Sequence, residues 1–317
     1  MKRMNKLLIL LGILVLAVGG IFLTSKLVKD SAIKPPAEQY SVFSVDPESI
    51  TEISWEYEDE KSIFIRQDGK WAYQEDPSIP LNELFLTNLL SNLRAVTSIK
   101  TIEEPGDPAQ YGLDSPSCII TVTADGTQKQ MKFGDETGMG GKRYVSNGDE
   151  KVYLISSSLL ENFSYHLLDL VQVESIPAIS RIDSYTVTGG AEELTLLHLE
   201  DVDGEPRWAV KQGDSEVPIH AARASNLATV ITTVVFDRCA NCKVDDTVLQ
   251  EYGLGDDALT LTVNYTDPEG AQAVFTLVLS KDGKYGYPKD STRLYTVNDS
   301  IVKNFAELTA AELTAVE

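Results

Sequence analysis

Two cysteines three positions apart, in the run Cys239-Ala240-Asn241-Cys242, are the residues of this chain whose type and spacing could most readily do chemistry. A C-x-x-C pair brings two sulfurs within reach of a disulfide and can draw one of them toward its thiolate. Thiol–disulfide exchange, a structural disulfide and half of a tetrahedral zinc site all share that spacing. Exchange of the thioredoxin type would place the motif directly after a strand and at a helix N-terminus. Here the sequence predicts a helix ending near Val235 before the pair and a turn at Tyr252 after it, a context that favours a structural staple. Zinc would need two more ligands, yet His166, His198 and His220 are scattered without ligand spacing and Cys118 stands far away. Cys118 reads as a small apolar residue on a strand.

The remaining candidates resolve into turns and core. The run Gly134-Asp135-Glu136-Thr137-Gly138-Met139-Gly140-Gly141 is glycine-rich but joins two β-rich segments and lacks the G-x-x-x-x-G-K-[ST] pattern of a phosphate-binding loop, so it reads as a hairpin loop. Asp201-Val202-Asp203-Gly204-Glu205 has the opening of a calcium loop without the bidentate glutamate at its twelfth position, and a turn between strands explains it. No G-x-S-x-G, H-E-x-x-H or S-x-x-K occurs in a usable context. Trp55, Trp71 and Trp208 fall in strand-like runs where core packing is their usual role. The expectation is a protein that is not an enzyme, without catalytic, cofactor-binding or metal-binding residues, in which Cys239 and Cys242 are the candidate disulfide.

The elements that must position these residues repeat. Trp71, Pro80, Tyr111-Gly112-Leu113, Tyr153 and Asn162-Phe163 recur in the same order as Trp208, Pro218, Tyr252-Gly253-Leu254, Tyr295 and Asn304-Phe305, at an offset that lengthens by only a few residues. In the first copy, alternating polarity predicts strands over 50–57, 62–67 and 70–74, with Asp68-Gly69 as a hairpin turn. A helix follows over Pro80 to Val96, with Leu81, Phe85, Leu89, Leu93 and Val96 along one face. Strands are then expected over 118–123, 129–133, 143–146 and 152–155, and a closing helix over 157–167. The second copy reads as strands over 184–188, 194–199, 207–211, 259–265, 273–279 and 294–297, with helices over 219–235 and 300–308. Many hairpin-linked strands with one central and one closing helix predict an α+β fold, two tandem homologous units of antiparallel β-sheet with packed helices. The expected units are 46–176 and 177–317, parted where Ser175-Ile176-Pro177 breaks the pattern, after a tether over 31–45 that holds Pro35-Pro36.

Residues 1–30 are expected to be a cytoplasmic stub and a transmembrane anchor. Leu7 to Thr24 carries no charged side chain, and a run of about 18 apolar residues suffices to cross a bilayer. Lys2, Arg3 and Lys6 place the N-terminus in the cytoplasm by the positive-inside rule, so the bulk is expected outside the cell membrane. A cleaved signal and secretion is the alternative, with Ala17-Val18-Gly19 as a weak cleavage site. The formal charge is −21 over 317 residues, and because the first thirty are net basic, the remainder is more acidic still. That balance excludes nucleic acid and anionic lipid headgroups as partners, since both need clustered Lys and Arg. Three cysteines are too few for a disulfide scaffold, and a chain of this length does not need one.

Gly69-Lys70-Trp71 closing an early hairpin, the leucine-rich helix, Tyr111-Gly112-Leu113-Asp114-Ser115-Pro116 before a strand, and Phe133-Gly134-Asp135 followed by Arg143-Tyr144-Val145 together resemble the bacterial domain-of-unknown-function family numbered 4340, DUF4340. The resemblance covers most of residues 45 to 310, and the second copy departs from it at Gly255-Asp256-Asp257. It implies an envelope protein accompanying an ABC-type transporter whose permease and ATPase are other chains, since no ATP-binding motif occurs here. The expected function is thus non-enzymatic binding or scaffolding outside the cytoplasm. A thiol–disulfide protein using Cys239 and Cys242, or a binder of a cell-wall ligand, are the alternatives.

Overall fold

The computed structural model describes residues 40–314. The run Leu7–Thr24 expected to anchor the chain lies outside the described residues, and among those described no helix is long and apolar enough to cross a membrane.

The chain opens with β1 (Tyr40–Phe43), at the end of the segment read as a tether, then β2 (Ile50–Tyr57), β3 (Glu60–Gln67) and β4 (Lys70–Tyr73). Helix α1 (Glu83–Ser91) leads to β5 (Val96–Ser98) and β6 (Lys100–Ile102), followed by β7 (Cys118–Ala124), β8 (Thr127–Glu136), β9 (Lys142–Ser146), β10 (Val152–Ser156) and the single turns α2 (Ser158–Glu161) and α3 (Leu167–Leu170). Residues 172–179 have no regular structure. Beyond them lie β11 (Arg181–Thr188), β12 (Leu194–Val202), β13 (Glu205–Gln212), β14 (Ser215–Ile219), α4 (Ala221–Thr232), β15 (Phe236–Asn241) and α5 (Asp246–Glu251). The fold closes with β16 (Leu259–Thr266), β17 (Gln272–Leu279), β18 (Tyr285–Pro288), β19 (Leu294–Val297), α6 (Ser300–Phe305) and α7 (Ala310–Thr314).

Two antiparallel sheets hold nearly all of these strands. The first has eight, in the order β4-β3-β2-β7-β8-β9-β10-β6, and the second nine, in the order β14-β13-β12-β11-β16-β17-β18-β19-β15. With the extra edge strand β14 set aside, the second order is the first repeated with each strand replaced by its later counterpart. Period-two patterning explains why the central strands form. In β7, Cys118, Ile120, Val122 and Ala124 are buried, and in β16 Leu259, Leu261, Val263 and Tyr265 are, while threonines alternate toward the other face. Asp68-Gly69 and its counterpart Asp203-Gly204 both take positive φ between paired strands, so the second pair is a hairpin turn, as its sequence suggested.

The first helix is shorter than its apolar stripe predicts. Asn82 caps it by accepting the N–H of Phe85 at 3.0 Å, which fixes the start at Glu83, and the Asn92 side-chain amide donates to the carbonyls of Asn88 and Leu89 at 3.1 Å, which closes the last turn. Val96, expected at the end of that helix, lies in β5, which pairs with β1. Leu86, Leu89 and Leu90 are the buried face, whereas Phe85 packs edge-on against Tyr165. The closing helix expected over 157–167 is replaced by α2 and α3, two separate turns.

Like positions make like contacts in both sheets. Tyr111 meets Tyr144 edge-to-face at 5.0 Å, and Tyr252 meets Tyr285 at 4.8 Å. Phe163 packs T-shaped on Trp55 at 5.7 Å, and Phe305 on Tyr185 at 6.1 Å. Arg66 lies over Trp71 at 5.0 Å, and His198, at the equivalent cross-strand position, lies 4.9 Å from Trp208. One hydrophobic cluster, including Trp55, Phe133, Tyr185, Leu261 and Tyr295, runs through both sheets. A smaller one gathers Leu254, Ala258, Val278, Tyr287 and Leu294 with the apolar side of α5.

Candidate functional site: a dithiol at the seam between the sheets

Strand β15 is the edge of the second sheet and the place where that sheet meets the first. It packs on α3, and Arg238 on β15 pairs with Asp169 on α3 at 3.0 Å. Sequence patterning predicts a helix through Val235 followed by a loop, but the helix stops at Thr232 and the chain turns into this strand instead. Six residues paired only through a distant partner, β19, carry too little periodicity to be read locally.

Bulges between Phe236 and Arg238 and between Cys239 and Asn241 distort the pairing of β15 with β19. Just beyond the second, the Asn241 side-chain oxygen accepts the N–H of Lys243 at 2.9 Å, turning the chain so that Cys242 folds back toward Cys239. The hydroxyl of Tyr252 donates to the Ala240 carbonyl at 3.3 Å, and the Val244 N–H donates to Thr292 at 3.1 Å, pinning both sides of the turn. The two sulfurs lie 3.6 Å apart as free thiols. Cys239 is fully buried and Cys242 half-buried, so their exposure is unequal.

The electrostatics are unequal as well. Cys242 is drawn below the ordinary thiol value, first by the hydrogen bond from the Cys239 thiol and then by the Arg293 and Lys243 cations, against burial and the Asp76 carboxylate. Cys239 is pushed well above that value by its hydrogen bond to Cys242, by burial and by the negative charge of its neighbour. Arg293 is held in place on three sides. It pairs with Glu174 from the segment between the sheets, its Nε donates to the Tyr295 hydroxyl at 3.0 Å, and its backbone N–H donates to Ser291 Oγ at 3.0 Å. Ser291 Oγ in turn donates to Glu174 at 3.0 Å. Glu174 also lines a cavity of about 620 Å³ bounded by Ile176, Pro177, Phe275, Leu277 and Pro288. Neither Arg293 nor Glu174 stands out in sequence, because no local motif marks a cation and a carboxylate that meet only across the seam.

The other sequence candidates are dispersed. Cys118 is buried on β7 opposite Phe133, its thiol pushed up to about 12 chiefly by burial. His166 precedes α3 with Nδ1 2.9 Å from Glu60, His198 Nε2 is 3.1 Å from Asp201, and His220 precedes α4. Among the described residues no three His, Cys, Asp or Glu side chains gather as a metal site. The glycine-rich run forms the end of β8 and the loop into β9, where Glu136 accepts the Gly141 N–H at 2.6 Å. All three tryptophans are buried.

Fold and site together define a class: an antiparallel α+β protein of two like-ordered sheets with a dithiol at their seam. The family described as Domain of unknown function (DUF4340) matches this chain over residues 71–218, and the resemblance read from Trp71, Tyr111–Pro116 and Phe133–Asp135 holds over that stretch. The match begins in β4 and ends in β14, and so runs across both sheets. No curated protein and no solved structure matches the chain.

Proposed function

We propose that this chain is a membrane-tethered scaffold of the cell envelope, built from one α+β unit used twice and held outside the cytoplasm by its N-terminal apolar run. The recurrence of one strand order in the two sheets carries this reading. What recurs with it is framework: the Tyr111–Tyr144 and Tyr252–Tyr285 braces, the buried Phe163 and Phe305, and the cross-strand neighbours Arg66 and His198 packed on Trp71 and Trp208. The dithiol has no counterpart in the first unit, whose single cysteine, Cys118, lies on a central strand. A duplicated framework presents two similar surfaces to a partner, a geometry suited to holding rather than to turnover. Leu7–Thr24, flanked by Lys2, Arg3 and Lys6, supports the tether, and the ABC-type permease or ATPase proposed as the partner rests on the resemblance read from the sequence alone.

Crosslinking of the full-length chain in native membranes, followed by mass spectrometry of captured proteins, tests the partner. Enrichment of a permease or an ATPase is the expected result. Recovery of background proteins alone overturns the transporter assignment and turns the search toward a cell-wall ligand. Protease added to intact spheroplasts tests the topology: the expected outcome is digestion of the region beyond residue 30, and full protection would refute it.

A further inference from the structure

We infer that Cys239 and Cys242 form a thiol–disulfide exchange site that takes an external disulfide as its oxidant, with Cys242 as the attacking sulfur and Cys239 as the resolving one. The assignment of roles rests on position. Cys239 is sealed in the core on a paired strand, while Cys242 sits past the strand end on a turn and is reachable from outside. At 3.6 Å the sulfurs need to close by about 1.5 Å to reach the bond length of a disulfide, and Cys242 lies on the side of the bulge where backbone pairing has ended. Arg293, fixed by Glu174 and Tyr295, is a positioning residue that holds a cation beside both sulfurs. The charged groups facing Cys242 are Arg293 and Lys243 on its own side and Asp76 from the loop after β4. The imbalance between the two thiols, one drawn toward its thiolate and the other held protonated, agrees with this order of events.

The steps balance. The Cys242 thiolate attacks one sulfur of a disulfide R–S–S–R′; the S–S bond breaks, a Cys242–S–R mixed disulfide forms, and R′–S⁻ leaves with the bonding pair. Cys239 then gives up its proton and attacks Cys242 Sγ, releasing R–S⁻. The protein dithiol is oxidised to the Cys239–Cys242 disulfide, the external disulfide is reduced to two thiols, and the protons lost by the two cysteines end on them. This function is independent of the scaffold reading, since it concerns only the seam.

Incubating the full-length protein in detergent with oxidised glutathione, and separately with a disulfide-bonded protein, tests it by intact mass and peptide mapping. Wild type is expected to lose two protons' mass and accumulate no adduct. C239S, or C239A should the serine perturb the core, is expected to retain a stable mixed disulfide on Cys242, and C242S is expected to react at least tenfold more slowly. Faster reaction with glutathione identifies a small-molecule oxidant, and faster reaction with the protein identifies a protein partner. The paired variant R293Q/E174Q, which keeps the seam neutral, is expected to move the alkylation profile of Cys242 to higher pH. A Cys239–Cys242 bond that stays fully oxidised at every ratio of reduced to oxidised glutathione would mark a structural staple and overturn the proposal. So would equal rates for C239S and C242S, or no reaction with either disulfide.

Discussion

Cys118 and Cys242 are the same side chain in opposed surroundings, and their chemistry should divide accordingly. Cys118 is enclosed by the first sheet's core, where no solvent stabilises a thiolate, and its pKa rises from the ordinary 9.0 to about 12. Cys242 is half-buried beside cations. Iodoacetamide on the native, reduced protein at neutral pH is expected to label Cys242 first and to leave Cys118 unmodified until the chain unfolds; labelling of Cys118 at a comparable rate would contradict its burial. The same shift has a consequence for stability. The folded state holds the Cys118 proton more tightly than the unfolded chain, so this stabilisation is intact below about pH 9 and is lost as pH rises toward 12, at up to about 1.4 kcal/mol per pH unit. Urea unfolding between pH 8 and 10.5 should therefore show a declining midpoint, and C118A should flatten that decline even if it lowers stability at neutral pH. That Cys118 sits inward on a strand was legible from the alternation around it; that Cys242 turns back toward Cys239 was not, since the turn depends on Asn241 and on bulges set by the partner strand.

The two Tyr-Gly-Leu turns use glycine for the same conformation but in different space. Gly112 and Gly253 have φ of +67° and +69°. A Cβ at Gly112 would lie 2.4 Å from Asp135 Oδ1 and 2.9 Å from the Asp135 backbone nitrogen, whereas one at Gly253 meets only Ser280 Cβ at 3.7 Å. G253A is expected to cost about 1 kcal/mol, the left-handed penalty alone, and G112A about 2–3 kcal/mol because Asp135 must also move. Chemical denaturation of the two variants checks the order, and equal costs would show that Asp135 yields freely. For α1, N82A is expected to cost about 1 kcal/mol through loss of the cap to Phe85. Long alternating strands such as β7 and β16 could be read from sequence because burial on one face imposes a period of two. Strands β1, β5, β6, β14, β15 and β18 have no counterpart in the sequence reading; each spans only three to six residues, at most three periods of two, so local patterning marks such strands unevenly. The helix at 80–96 was overextended because an apolar stripe continues through Leu93 and Val96, which are buried by the loop and by β5 rather than by a helix.

At the scale of the whole molecule, ionic contacts join the segment between the sheets and the first sheet's last turn to the second sheet. Arg293 with Glu174 is the more buried, with side chains 16% and 30% exposed, and Arg238 with Asp169 flanks it. E174A leaves the Arg293 charge without its partner and is expected to cost about 2 kcal/mol, while D169A, with Arg238 more than half exposed, should cost under about 1 kcal/mol. Calorimetry should show E174A loosening the coupling of the sheets, seen as a broadened or split transition; a uniform shift of a single sharp transition would mean that the shared apolar cluster alone couples them. The sequence by itself determined the antiparallel α+β class, the family resemblance over the matched stretch, and the recurrence of landmarks that the two strand orders share, because hairpin turns, period-two burial and aromatic positions are local signals. Only the tertiary structure decided where the thiols meet, which of them is reachable, and which arginine and glutamate stand beside them. Those facts depend on chain segments more than a hundred residues apart being brought to one seam, and no spacing along the chain records that closure.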